Sequence, residues 1–273
     1  MMKVDIEKCI GCKQCVRDCF PGDIKVDNGK AEIRNVACFK CGHCIAVCPT
    51  GAISTDDYKM EDVVEYNEEK FNIDSDTLLN FIKFRRSIRH FKDKDVEKEK
   101  LEKIIEAGRF TQTGSNSQGV SYVVVKDKLE DLKEIVLRRL SILGEEILNN
   151  LNSETIKYKR YAMMWQQMYK DYKENPKAGD KVFFNAPAVI LVISDSPVDA
   201  ALASSNMELM TNALGLGTFF SGFLVRAAID NQELVDLLGL KPSDKIVTSM
   251  VIGYPDIKFK RTVPRKDASI LWK

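Results

Sequence analysis

Beyond position 48 the chain contains no cysteine, and in all 273 residues there are only two histidines, His43 and His90. A disulfide framework spread over the chain, or a metal centre built from histidines, is thereby excluded. Charge of one sign is also missing, because 41 Lys and Arg stand against 40 Asp and Glu for a formal net charge of +1. Such a balance sets up no long-range field toward nucleic acid or an anionic membrane, so neither is expected as a partner. No apolar run approaches membrane-spanning length, and Met1 to Ile6 lack the charged and apolar regions of a secretion signal, so the expected location is cytoplasmic. No Gly-x-Gly-x-x-Gly follows a strand-like run, which argues against a Rossmann nicotinamide domain. What is present is a composition of 44% hydrophobic and 30% charged residues, that of a globular protein with room for a small module and a larger one.

All eight cysteines fall between positions 9 and 48, in two runs: Cys9, Cys12, Cys15 and Cys19, then Cys38, Cys41, Cys44 and Cys48. Each run has the spacing x2, x2, x3. Pro49 follows Cys48 directly, whereas Phe20 intervenes between Cys19 and Pro21. Three thiolates at this spacing wrap one [4Fe–4S] cluster on a tight turn, and the fourth cysteine of each run ligates the other cluster. Cys9, Cys12, Cys15 and Cys48 are therefore assigned to one cluster, and Cys38, Cys41, Cys44 and Cys19 to the second. Disulfides would need an oxidising compartment, and zinc gives no tetrahedral rationale for a third and fourth cysteine per run. His43, inside the second run, is read as a neighbour of the cluster rather than a ligand. Residues 1–58 resemble the two-cluster bacterial ferredoxins. Between the runs, Ile24 to Ile33 alternates about Asn28-Gly29, the signature of a hairpin.

Residues 59–76 are polar and acidic and read as a linker. Beyond it, Ser75 or Asp76 caps a predicted helix running through Leu78, Leu79, Phe81, Ile82 and Phe84. Helical spacing continues from Val96 to Gly108, 120–126 is a β-branched run, and 127–174 is mostly helical in pattern. Buried strands are expected at 187–193 and 246–252, with helices at 198–214 and 230–238, which makes the fold class α+β. Tyr158, Tyr161, Met163, Met164, Trp165, Met168, Tyr169 and Tyr172 form a stripe readable as core or as a lid.

Arg85-Arg86-Ser87-Ile88-Arg89-His90-Phe91 places three guanidiniums and a hydroxyl within five residues. Such forks suit a phosphate monoester, although a solvated basic helix end would look the same. This segment is followed in order by Thr113-Gly114-Ser115-Asn116, by Gly215-Leu216-Gly217-Thr218-Phe219-Phe220-Ser221-Gly222, and by Gly253-Tyr254-Pro255 with Pro264-Arg265-Lys266. In that order and spacing, residues 77–273 resemble the FMN-dependent nitroreductase family. The resemblance implies a domain with a central, mainly antiparallel sheet. It further implies FMN held by Arg85, Arg86, Ser87 and Arg89, with Arg265 and Lys266 as a second cationic arm. Thr113, Gly114 and Asn116 match the loop that approaches the flavin from the second subunit of a homodimer. Phe220, Ser221 and Gly222 match the segment passing the isoalloxazine ring. Gln112 and Thr113 stand where many members have Pro-Ser, and the acidic residue often found near Ser221 is absent.

Iron–sulfur clusters deliver single electrons, whereas flavin accepts them singly and hands over two as hydride. The expected function is therefore an oxidoreductase passing electrons from two [4Fe–4S] clusters through FMN to a small electron-poor acceptor, such as a nitroaromatic, quinone or activated alkene. The expected donor is a reduced ferredoxin-type protein, with NAD(P)H as the other option. The competing function is an electron-transfer or redox-sensing module that serves a protein partner and has no small substrate.

Overall fold

The computed structural model describes residues 1–273 and divides into two compact units, one of 1–74 with 113–118 and the other of 75–112 with 119–273.

The first unit is built twice over from one pattern. Strand β1 (Met2–Val4) and helix α1 (Gln14–Asp18) precede strands β2 (Ile24–Asp27) and β3 (Lys30–Ile33). Helix α2 (His43–Ala46) and strand β4 (Ile53–Thr55) complete the pattern, with β1 paired to β4 and β2 to β3, both antiparallel. The repeat shows in the backbone. Gly11 and Lys40, Lys13 and Gly42, and Gly22 and Gly51 occupy equivalent places, and all six have positive φ. Left-handed residues at these places turn the chain between ligands, so the cysteine spacing and the backbone geometry repeat together. The hairpin expected at Asn28-Gly29 is present, with φ of 47° and 77° at the two turn residues, as a type I′ turn requires. Within 59–74 the chain makes a short 3-10 turn and helix α3 (Glu68–Phe71), whose N-cap Asn67 accepts from the Lys70 backbone N–H at 3.1 Å.

The second unit is organised by one strand buried on both faces. Strand β6 (Ala188–Ser194) is buried at every position, as its unbroken apolar run predicts. It lies between β5 (Val120–Val125) and β8 (Ile246–Gly253), and β7 (Gly217–Phe220) closes the antiparallel order β5-β6-β8-β7. Alternation along β6 supplies two cores. Val189 and Leu191 face helices α6 (Leu129–Asn149) and α7 (Lys159–Glu174), together with Leu132, Leu140, Trp165 and Met168. Ala188, Ile190 and Val192 face the other layer, α5 (Lys98–Arg109) and α9 (Pro197–Ala213), through Leu101, Ile104 and Met207. Short helices α8 (Pro176–Gly179), α10 (Gly222–Ala228) and α11 (Gln232–Leu238) fill the ends. Helix α4 (Ser75–Phe84) spans the expected residues but buries none of them in the single chain. The stripe at 158–172 divides by helical phase, since Trp165, Met168 and Tyr172 are core while Tyr161 and Met163 stay exposed. Strand β7 and helix α10 are absent from the sequence expectations, because Gly215, Gly217 and Gly222 break any readable period there. No helix is long and apolar enough to cross a membrane.

Two glycines with nearly equal φ test how the first unit closes. A Cβ on Gly11 would lie 2.1 Å from the Gly29 carbonyl oxygen, whereas one on Gly22 would meet nothing within 4 Å. Gly11→Ala should therefore prevent the cluster loop from closing and strip iron from the purified protein. Gly22→Ala should cost only about 1–2 kcal/mol of backbone strain and keep its iron, as measured by iron content and denaturant unfolding.

Candidate functional site

In the first unit one group of four thiols shares a pocket. Cys9, Cys12, Cys15 and Cys48 line one small pocket with Gly11, Ala31 and Ala52, so the last cysteine of the second run has joined the first three of the first. On the other side, the aromatic ring after Cys19 meets the ring after Cys38, Phe20 to Phe39 at 6.1 Å. The His43 Nδ1 lies 3.1 Å from Asp18 beside the same pair of ligand segments. His43 thus contacts a carboxylate and not a thiol. Backbone donors aim at sulfur in a repeated manner: Asp23 N–H donates to Cys19 Sγ at 3.4 Å, and Ala52 N–H to Cys48 Sγ at 3.3 Å. Ala31 N–H donates to Cys9 Sγ at 3.3 Å and Lys40 N–H to Cys38 Sγ at 3.4 Å. Such donors favour thiolate over thiol and raise the potential of a ligated cluster.

Burial pushes the Cys44 thiol up to about 11, with the neighbouring Cys38 and Cys41 adding to the shift. Burial also raises Cys15, with Cys12 and Cys48 contributing. At Cys48 burial again acts upward, but the backbone N–H of Ala52 and the groups of Thr50 outweigh it, and the thiol lies below its usual value. The raised thiols ionise only against nearby positive charge, which bound iron supplies. No group of three or more ligand side chains converges as a mononuclear ion requires. A cubane instead spreads four thiolates over four irons, and the pocket shared by Cys9, Cys12, Cys15 and Cys48 is compatible with that arrangement.

In the second unit the basic segment is held as an extra strand on the free edge of β7. Ser87 bridges Thr218 in parallel, and Ile88 N–H donates to the Thr218 carbonyl at 3.0 Å. Ile88 is the buried residue of the segment, and a Cβ on Gly217 would lie 2.5 Å from its Cγ1, so glycine at 217 is what lets the segment dock. Arg85, Arg86, Ser87, Arg89 and Arg265 then line one open cavity of about 980 Å³ with Lys83, Glu208, Phe259 and Val263. Five cations face one carboxylate. Arg85 pairs with Glu208, while Arg86 donates to the backbone carbonyl of Lys83 at 2.8 Å. The Nε of Arg85 and the Nε and Nη2 of Arg86 are buried without a partner. Buried guanidinium donors with no acceptor are costly, and a phosphate monoester would supply acceptor oxygens and counter-charge at once. Arg89 crosses to a second cavity of about 770 Å³ bordered by Phe91, Lys133 and Asp180, and its guanidinium lies 5.4 Å from the Phe219 ring centre.

The remaining expected residues lie elsewhere. Lys266 does not line the large cavity. Ser221 is buried, donating to the Val182 carbonyl at 3.4 Å, and Phe220 is exposed beside it. Around Gly222 there is open space where a side chain would stand. Thr113, Gly114 and Asn116 belong to the first unit. Glu208 was not anticipated. Only its rarity as an acid within α9 marks it in the sequence, and its partner is far away along the chain.

Residues 82–254 match the nitroreductase family and residues 8–53 match a 4Fe-4S dicluster domain. The chain belongs to the nitroreductase family. Among solved structures, an FMN-bound nitroreductase from Bacteroides fragilis aligns with TM-score 0.54 at 18% identity, covering 71% of this chain and 98% of that one. An FMN-bound nitroreductase from Desulfitobacterium hafniense aligns with TM-score 0.52 at 23% identity, covering 71% and 97%. These likenesses establish the nitroreductase fold. An NADPH-dependent oxidoreductase of Staphylococcus aureus is 27% identical over 164 residues, and the chain spans 60% of that relative's length.

The crossed ligand assignment has a direct consequence. Cys19→Ser should disrupt the cluster of Cys38, Cys41 and Cys44 although it lies in the first run, lowering iron from about eight to about four per chain. Loss of the other cluster, seen as perturbation around Cys9 to Cys15, would reverse the assignment.

Proposed function

We propose that this protein is a cytoplasmic iron–sulfur flavoprotein oxidoreductase with two [4Fe–4S] clusters and FMN, reducing a small electron-poor acceptor. The observation that carries the reading is the basic cavity at the β7 edge, where partnerless guanidinium donors of Arg85 and Arg86 face the same space as Ser87, Arg89 and Arg265. FMN, when bound, converts single electrons into hydride for transfer to a nitroaromatic, quinone or activated alkene. Arg86 and Arg265 would bind its phosphate, with Lys266 as a further cation of the same arm. Glu208 orients Arg85, and Arg89 would reach the polar edge of the ring from its place over Phe219. The open backbone at Gly222 leaves room for a planar ring to approach. The electron source is a reduced ferredoxin-type protein or NAD(P)H.

A homodimer is part of the same proposal. Helix α4 leaves Leu78, Leu79, Ile82 and Phe84 uncovered in the single chain. The tail contributes Phe259, Val263 and Arg265 to the cavity, and further on Leu271 and Trp272 are 79% and 87% exposed. Apolar surface of this kind at both ends of one unit is buried economically by isologous pairing.

The decisive experiment is anaerobic reduction followed by stopped-flow mixing with nitroaromatics, quinones and enones. Rapid reoxidation with a saturable dependence on one class supports an enzyme, and uniformly slow reoxidation favours a carrier serving a protein partner. In the same preparations Arg86→Ala and Arg265→Ala should each weaken FMN binding by about 1.5–3 kcal/mol, and wild-type affinity in both would discard the phosphate site. Truncation after Asp256 should cost dimer and flavin together. Sedimentation showing a dimer with full flavin content would refute that arrangement.

A further inference from the structure

Helix α4 buries none of its residues, yet the basic segment that follows it is held at two points. Downstream, Ile88 pairs with Thr218 and packs over Gly217. Upstream, the Arg85 guanidinium pairs with Glu208. Arg86 and Ser87 are the two residues between these anchors. The upstream anchor stands on a rigid element. Glu208 lies within α9, a helix of 17 residues on which Met207 and Thr211 are fully buried. Those burials fix the phase of the helix, and with it the place of the carboxylate.

The nitrogens engaged on each guanidinium follow one pattern. Glu208 meets Arg85 at Nη1, while the Arg85 Nε is buried without a partner. Arg86 Nη1 donates to the carbonyls of Lys83 and Arg85, while its Nε and Nη2 are buried without partners. Each side chain is thus tied at the same corner, and the edge that carries Nε is left for another acceptor. Both arginines line the one cavity, where Glu208 is the single carboxylate among the lining residues. Two roles for that carboxylate predict opposite signs. A simple counter-ion would oppose an incoming anion, so removing it would tighten anion binding. A clamp that leaves the Nε edge uncovered would favour the anion by fixing the donor beforehand, so removing it would weaken binding. The contact at Nη1 is the geometry of the clamp.

We propose that Glu208 is a positioning residue for a phosphate monoester: by holding Arg85 at Nη1 it keeps the free edge of that guanidinium available, and so sets the preference for a phosphorylated flavin over an unphosphorylated one. The proposal rests on the reading of this cavity as the FMN phosphate site. It adds a residue that acts on the ligand only through Arg85.

The test uses the full-length protein with its clusters intact and its flavin removed. It is titrated with FMN and with riboflavin, which lacks the phosphate, and its unfolding temperature is measured with and without inorganic phosphate. Glu208→Ala should lower FMN affinity about tenfold, the worth of one charge-assisted contact, and leave riboflavin affinity unchanged. Glu208→Gln keeps an acceptor for Nη1 and should retain most of the FMN affinity. In an Arg85→Ala background, Glu208→Ala should cost nothing more, because its effect passes through the missing guanidinium. FMN binding as tight as wild type or tighter in Glu208→Ala overturns the proposal. Equal losses for FMN and riboflavin, or additive losses in the double variant, overturn it as well. If the wild-type protein binds neither flavin, the flavin reading fails and inorganic phosphate decides the role of Glu208. A rise in unfolding temperature that is larger in wild type than in Glu208→Ala upholds that role, and equal rises or none end it.

Discussion

The cationic site depends on a short backbone pairing at the edge of β7. Ile88 donates to the Thr218 carbonyl at 3.0 Å and buries its side chain over Gly217, and this one docked residue fixes where its neighbours stand. Three guanidiniums within five residues repel one another, and a free segment would spread them into solvent. Held as an added strand, the segment instead gathers them along one cavity, with Arg85 kept in place by Glu208. The pairing is possible because β7 is an edge strand, and β7 is an edge because β8 has its other side paired to the fully buried β6. The two cores thus fix the site at one remove, through the order of the sheet.

The cluster module follows a different logic. Its apolar core is small, formed by residues such as Ile24, Ala31, Ala52 and Ile53 around buried Cys9 and Cys15. A unit of this size has little hydrophobic stabilisation to draw on, and small domains commonly rely on metal ligation to close. Backbone N–H donors point at four sulfurs, and those to Cys19 and Cys48 come from equivalent places of the repeat.

The two units also differ in how their parts communicate with the sequence. The ferredoxin-like pattern is local: the cysteines of each run lie within a few residues of one another, the hairpin needs only Asn28-Gly29, and the approach of Cys48 to Cys9, Cys12 and Cys15 is long-range. In the larger unit the strands at 188–194 and 246–253 were legible because burial on both faces demands uninterrupted apolar runs. Strand β7 was not, since only four residues pair and the glycines around them serve close approach rather than a hydrophobic period.

By itself the sequence determined the 4Fe-4S cysteine pattern, the α+β class and the basic segment, because each is written in residue type and spacing over short distances. Tertiary structure alone decided that Glu208 meets Arg85, that Lys266 stands outside the cavity its neighbour Arg265 lines, and that Asn116 grips the turn after Cys38. These are contacts between side chains and backbone atoms far apart along the chain. No periodicity encodes them, since they arise only after burial of the two cores and closure of the cluster loops have fixed which surfaces meet.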